Sequence, residues 1–410
     1  MTTSRPYIPG SNHGLPAQRK RGGGRKLGTE LRIWWNEIDR TLLVLIFVLM
    51  GVGMAAVAAA SPASARRLST ASTQLPDLYF YYLNLRWQLL GIVVMLGASM
   101  LPRELARRIA ILLGAAMLGA LVLVPLIGTE VNGARRWLNL GLAFQPSEFL
   151  KPAFAIVLAW VLSWRLRDPN LPVIAISSVL FGLVAVLLMA QPNLGDTILF
   201  AGVWFLMVFL SGLPMQRVLA MGGGALAVLT ATYFLYDNAR HRIDAFFGGG
   251  TAFDQVDLAN RTLTAGGWTG SGLWLGIRKL SLPEAHTDYI FSVIGEEFGL
   301  LICMIVILLY LAIVVRVLVR TVGEENLFAM LAAAGLVAQV GGQAFINILV
   351  NLQLFPSKGM TLPLISYGGS STVAMCLTVG FLLAITRRNP YLPREKFAWR
   401  EALFFSGDDK

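Results

Sequence analysis

Between residues 41 and 386 the chain breaks into about ten apolar stretches of a length that crosses a bilayer. They fall near 41–60, 87–101, 108–127, 147–164, 172–190, 196–211, 217–236, 289–315, 327–350 and 366–386. In lipid, every backbone N–H and C=O has to be satisfied within the protein, so repeated apolar stretches of this length can only fold as helices. The expected fold class is therefore all-α: a polytopic membrane protein, a bundle of about ten transmembrane helices. Charged residues are 14% of the chain, against roughly 25% in a soluble domain, which excludes a soluble reading.

The charge distribution sets the expected orientation. The net charge of +11 lies largely in the tails: Arg19, Lys20, Arg21, Arg25 and Lys26 before the first stretch, and Arg387, Arg388, Arg394, Lys396 and Arg400 after the last. Basic residues flanking spans mark the cytoplasmic side, beside anionic lipid, so no nucleic acid partner is expected. Residues 1–40 read as a disordered cytoplasmic tail ending in the interfacial Ile33-Trp34-Trp35, 41–388 as the transmembrane domain, and 389–410 as a second cytoplasmic tail. An even span count puts both termini inside and leaves loops 128–146, 191–195, 237–288 and 351–365 outside. Arg66, Arg67 and Arg86 run against the positive-inside trend. The large extracellular loop, 237–288, joins the seventh and eighth helices and is rich in glycine, including Gly248, Gly249 and Gly250. Its backbone is free to approach a ligand or to fold back into the bilayer. Cys303 and Cys376 both lie in apolar runs and read as small core residues, and the three histidines have no zinc spacing.

The chemistry-bearing residues gather at the outer ends. In LPEAHTDYIFSVIGEEFG, residues 282–299, Asp288 stands where a polar loop meets an apolar run, with His286 before it and Glu296 and Glu297 after it. An acid inside a bilayer costs about 3 kcal/mol by insertion scales and needs a partner or a task. Helix capping by Thr287 or Asp288 explains the position but not the neighbouring groups. Glu297 falls about 180° round a helix from Asp288, so at least one of the three acids is structural. Before the fourth stretch come Arg135 and Arg136, then Glu148 and Lys151 three residues apart on one helix face. Two outer arginines suit phosphate, because the guanidinium donates two bonds at once. The segment Gln191-Pro192-Asn193-Leu194-Gly195-Asp196 reads as a tight turn. Tyr236, Arg240 and Arg242 open the large loop. Lys358 precedes the Gly368-Gly369-Ser370-Ser371 helix start, whose amides can face an anion or simply pack closely.

Taken in order, NGARRW (132–137), QPSEFLK (145–151), LPEAHTDYIFSVIGEEFG (282–299) and PSKGMTLPLISYGGSS (356–371) resemble the SEDS family, for shape, elongation, division and sporulation, over roughly residues 40–390. Lys358 with Thr361 is similar to the division branch more than to the elongation branch. The resemblance implies a peptidoglycan glycosyltransferase that polymerises lipid II at the outer face of the bacterial inner membrane, at the division septum. It places the family's essential aspartate on Asp288 and its basic and polar partners on Arg136, Glu148, Lys151 and Lys358. It also implies a class B penicillin-binding protein and divisome regulators as partners. Two departures stand out: Asn193 stands where the family usually has Asp, and of its polar set ahead of the glycine-rich piece only Gln255 matches.

The implied chemistry fits the residue types. Joining a sugar 4-hydroxyl to an anomeric carbon with inversion needs one base, a carboxylate such as Asp288. The departing lipid pyrophosphate needs cations, or a divalent metal such as Mg or Mn. Arg135, His286, Glu296 and Ser370 complete the candidate substrate contacts. A lipid II flippase would carry charges near the midplane, often in repeated halves, and a pure scaffold needs no intramembrane acids.

Overall fold

The computed structural model describes residues 27–388, except 71, 132, 133, 140, 142, 167, 169, 357, 358 and most of 213–254. The expected seventh stretch, 217–236, and the calls on Tyr236, Arg242, Gly248, Gly249, Gly250 and Lys358 fall mainly or wholly outside the described residues, as do the outermost parts of both tails.

The expected tail is helical at its inner end: α1 spans Leu27–Glu37. It is held there because the Trp34 indole donates to Ser99 Oγ at 3.1 Å and the Glu37 carbonyl accepts from the Arg388 amide at 3.2 Å. Asp39 then starts α2 (Arg40–Leu68), its carboxylate accepting from the Leu42 amide. The bundle continues with α3 (Tyr79–Ser99), α4 (Arg103–Ile127), α5 (Pro146–Ser163), α6 (Val173–Met189) and α7 (Leu194–Leu210). A shorter helix, α8 (Gln255–Ala265), lies in the large loop, followed by α9 (Ile290–Phe298), α10 (Leu300–Thr321), α11 (Leu327–Asn351) and α12 (Ser370–Ile385). Among the described residues, α2, α4, α5, α10 and α11 are long and apolar enough to cross a membrane, and α6, α7 and α12 are shorter apolar helices. The all-α membrane bundle is the fold found. To it the loop 128–146 adds a small antiparallel sheet, β1 (Thr129–Val131), β2 (Ala134–Asn139) and β3 (Ala143–Phe144), in that order.

Helices α5 and α11 are the buried centre. Helix α12 lies directly on α3, where Gly380 leaves no room for a side chain: a Cβ there would fall 2.7 Å from the Met95 carbonyl oxygen. Cys303 and Cys376 are both buried and unpaired.

The eighth stretch is not one helix. It breaks at Gly299, whose φ of 86° ends α9 and begins α10. A side chain there would stand 2.4 Å from the Trp268 carbonyl oxygen, so the break admits the loop that follows α8.

One end of the bundle is closed by ion pairs. Arg316 donates to both oxygens of Asp39 at 2.9 and 3.1 Å, Arg320 lies 3.0 Å from it, and Arg103 grips Glu324 with two bonds. Burial pushes the Asp39 carboxyl up, but the Arg316 and Leu42 bonds and the Arg320 charge outweigh it and hold it below its ordinary value of 3.8. Its contribution is therefore full above that value and fades as pH falls through the lowered one. Breaking a buried pair costs about 3–5 kcal/mol. Asp39→Ala should lower the melting temperature of the detergent-solubilised protein at pH 7 by several degrees, and an unchanged melt would show the pair contributes nothing.

Candidate active site

At the opposite end, where α2 finishes, the connecting segments enclose a cavity of about 930 Å³. The loop before α9 supplies Glu284, His286 and Asp288, and β2 supplies Arg136. The first turn of α5 supplies Glu148, and the glycine-rich start of α12 supplies Ser370.

Asp288 is half-buried, and neither it nor Thr287 caps α9: the residue at the cap is Tyr289, with no side-chain bond. Its backbone is fixed instead. The Asp288 carbonyl accepts from the side-chain amides of Asn347 at 2.8 Å and Asn351 at 3.2 Å. Among the described residues no hydrogen bond or ion pair reaches its carboxylate. Burial pushes that carboxyl up to about 7, the Glu284 charge adds to the rise, Arg136 opposes it and Glu148 reinforces it.

Asn347 and Asn351 belong to a column on α11 that starts with Gln339 and Gln343, four residues apart each time. The Gln339 amide donates to the Lys151 carbonyl, and Gln343 donates to the Thr361 carbonyl at 2.9 Å. Asn347 also reaches the Met360 carbonyl at 2.6 Å, and Asn351 accepts from Ser292 Oγ at 2.7 Å. One helix face thus positions α5, the 360–361 segment, Asp288 and α9 together.

Lys151 is buried behind the cavity wall, not open to it. Its ammonium lies 2.7 Å from Glu148 Oε1, 3.0 Å from Asp196 Oδ1 and 3.1 Å from Gln343 Oε1. A cation so enclosed holds Glu148 in place and is not a free phosphate ligand. The other oxygen of Asp196 accepts from Ser147 at 2.9 Å and Asn193 at 2.8 Å. The turn expected at 191–196 therefore delivers a working carboxylate, and Asn193, the family departure, serves to orient it.

Arg136 lines the cavity while donating to the Gln191 carbonyl at 3.2 Å and to the Pro192 carbonyl. Arg135 points elsewhere. Alternation along β2 exposes it and sets it against Glu130, 3.5 Å away, so it does not line the cavity. His286 is in the wall, its ring 4.1 Å from Phe80 and stacked on Tyr367. Burial lowers its pKa to about 4 against the pull of Glu284, so at neutral pH it is an uncharged aromatic surface and supplies no cation. Ser370 accepts from the Gln145 amide at 3.4 Å and lines the cavity.

Glu296 does not reach the cavity. Its oxygens accept from the backbone amides of Arg278 at 2.6 Å and Lys279 at 2.8 Å. Glu297 accepts from the amides of Trp274 and Gly276 and pairs with Lys279. Both acids are structural. Sequence reasoning also passed over Arg67, which lines the cavity and donates to the Ser281 carbonyl at 3.2 Å. Its signal was its breach of the positive-inside trend. Among the described residues no three His, Cys, Asp or Glu side chains converge to hold a metal ion. The cavity carboxylates among the described residues, Glu148, Glu284 and Asp288, suit the mode in which one or two carboxylates share Mg or Mn with substrate phosphates.

Residues 40–391 match the family model described as "Cell cycle protein", FTSW_RODA_SPOVE. A probable peptidoglycan glycosyltransferase FtsW from Caulobacter vibrioides is 38% identical over 366 residues, covering 88% of this chain and 92% of that protein. The corresponding protein of Pasteurella multocida is 34% identical over 372 residues, covering 86% and 91%. Among solved structures, a chain of a peptidoglycan synthase complex, studied for its structural coordination of polymerization and crosslinking, superposes with a TM-score of 0.71 at 28% identity. The match covers 86% of this chain and 98% of that one. The rod shape determining protein RodA of Thermus thermophilus gives 0.65 at 28%, covering 88% and 99%.

Proposed function

Because the chain belongs to the FtsW, RodA and SpoVE family of cell cycle proteins, we propose that it is a peptidoglycan glycosyltransferase that polymerises lipid II during septal cell-wall synthesis. The observation that carries the reading is the Asp288 carboxylate. It faces a large cavity with no hydrogen-bond or ion-pair partner among the described residues, and its pKa is raised to about 7, where a base works best at neutral pH. Transport or scaffolding alone leaves that group without a task.

In this reading Asp288 takes the proton of the acceptor sugar's 4-hydroxyl as that oxygen attacks the anomeric carbon of the lipid-linked chain. The bond to the pyrophosphate breaks in the same displacement, which inverts the centre and needs no covalent sugar–enzyme intermediate. Arg136 and Arg67 supply positive charge to the leaving group, Lys151 and Asp196 keep Glu148 in position, and Ser370 contacts the substrate. The cavity end faces the periplasm and the ion-paired end the cytoplasm of the inner membrane, with both termini inside. A class B penicillin-binding protein crosslinks the strands, and divisome regulators control the pair. Lys358 adds a cation to this set. Were Mg or Mn bound, the cavity carboxylates Glu284 and Asp288 would hold it with the substrate, and it would supply positive charge to the departing pyrophosphate.

The test is purified protein with its cognate transpeptidase and labelled lipid II, read for glycan polymer. Absence of polymer from an intact, correctly assembled pair would sink the reading. The pH profile gives a second check. Asp288 works deprotonated, so the rate per enzyme should fall as pH drops through about 7. Glu284→Gln removes a charge that raises this pKa and should move the acid limb lower, whereas Arg136→Ala should move it higher. Limbs that do not move in opposite directions would show that another group is titrating.

A further inference from the structure

The stretch Trp268–Leu280 is the irregular backbone that Gly299 admits into the bundle. It exposes Trp268, Leu273, Trp274, Leu275, Ile277 and Leu280, with Ile277 75% exposed and Leu275 69%. Free apolar side chains on a loop in water would be an unpaid-for liability unless something covers them.

Its depth can be measured along two helices. The Trp274 indole donates to the Ala58 carbonyl at 3.1 Å and the Lys279 ammonium to the Ala59 carbonyl at 3.0 Å. Ala58 stands about 28 Å along α2 from Asp39 at 1.5 Å per residue. On the other side, the Leu300 amide donates to the Gly267 carbonyl at 3.0 Å and the Leu301 amide to the Trp268 carbonyl at 3.3 Å. Leu300 stands about 24 Å along α10 from Arg316, the partner of Asp39. A hydrocarbon core is about 30 Å thick, so both routes place the loop's attachments inside it, in the leaflet on the cavity side.

Irregular backbone survives at that depth only when the protein satisfies its polar groups. Here it does. The amides of residues 270–272, 274–276 and 278–282 all have acceptors, four of them on the carboxylates of Glu296 and Glu297. The Ser271 and Gly272 amides take the carbonyls of those same two residues at 2.8 and 3.0 Å. Lys279, the loop's inward cation, is spent on Glu297. Arg278 is exposed, and its long stem can carry the guanidinium up to the headgroups.

We propose that Trp268–Leu280 is a re-entrant membrane wedge, its apolar face in contact with lipid acyl chains, and that Glu296 and Glu297 exist to make its backbone tolerable there. The inference goes beyond the glycosyltransferase reading and stands without it.

The test uses the full chain in vesicles of phosphatidylethanolamine and phosphatidylglycerol, with a nitroxide on Ile277→Cys. The two native cysteines are buried, and unsubstituted protein serves as the labelling control. Power saturation should find oxygen access with loss of access to a water-soluble nickel chelate, matching a label at Leu308→Cys on the exposed face of α10. Nickel access like that of Glu130→Cys in the outer sheet would put the loop in water and overturn the proposal. Loss of access to both reagents would mean a protein surface covers it, a second copy or a partner's helix, and would overturn it too. Adding Glu297→Gln to the labelled chain should raise nickel access, and an unchanged ratio would remove the carboxylates from the argument.

Discussion

Asp288→Asn should lose glycan polymerisation by at least about a hundredfold, while insertion and transpeptidase binding stay normal, because an amide cannot take the acceptor's proton. Asn keeps the shape of Asp and serves equally at a helix start, so a capping role would predict a nearly normal enzyme. No such cap exists here, since Tyr289 begins α9 without a side-chain bond. The Asn347 and Asn351 bonds are to the Asp288 carbonyl and survive the substitution, so its backbone keeps its place. Asp288→Glu moves the base by about a bond length and should be impaired as well. Polymer yield from labelled lipid II, with the variant co-purified at normal stoichiometry, decides the matter. If the Asn variant still makes long strands, the base is another carboxylate of the cavity, Glu284 first. Glu296, whose oxygens are taken by the loop amides, is excluded.

Lys151→Met should cost both stability and activity. The substitution leaves Glu148 and Asp196 buried together without their shared cation, and removing one partner of a buried ion pair costs about 3–5 kcal/mol. The expected result is a clearly lowered melting temperature in detergent and little polymer. Pairing it with Asp196→Asn removes the excess charge and should recover part of the melting temperature, since contacting residues are coupled. A lysine that bound pyrophosphate directly would behave differently: activity would fall with an unchanged melt, and the second substitution would rescue nothing.

The apolar stretches were legible because a bilayer admits few solutions, and Asp288, Arg136, Glu148, His286 and Ser370 do share one cavity. What stayed hidden was partner choice across long sequence distances. Lys151 showed its neighbour Glu148, three residues away, but Asp196 lies 45 residues on in a segment whose composition says only "turn". Arg135 and Arg136 read alike until strand alternation turned one of them out. Glu296 looked like a candidate ligand because backbone amides, its actual partners, leave no trace in side-chain patterns. The α11 column was written in the sequence as four amides at a spacing of four. It was overlooked because uncharged amides in an apolar run draw less notice than acids. The role that the resemblance implies for Lys358, and most of the apolar stretch 217–236, concern residues outside those described.

The α11 column also limits how the site can move. Its four amides engage four different segments, so the helix behaves like a keyed shaft in a lock. Sliding by one residue would advance it about 1.5 Å and rotate it about 100°, and every rung would lose its partner at once. Sliding by four residues, about 6 Å, would turn it only about 40° from its starting face and bring three of the four amides level with a neighbouring rung's partner. The motion available to this helix is therefore stepwise. It holds in one register, and any signal that shifts it has to carry it past the positions where all four contacts are open.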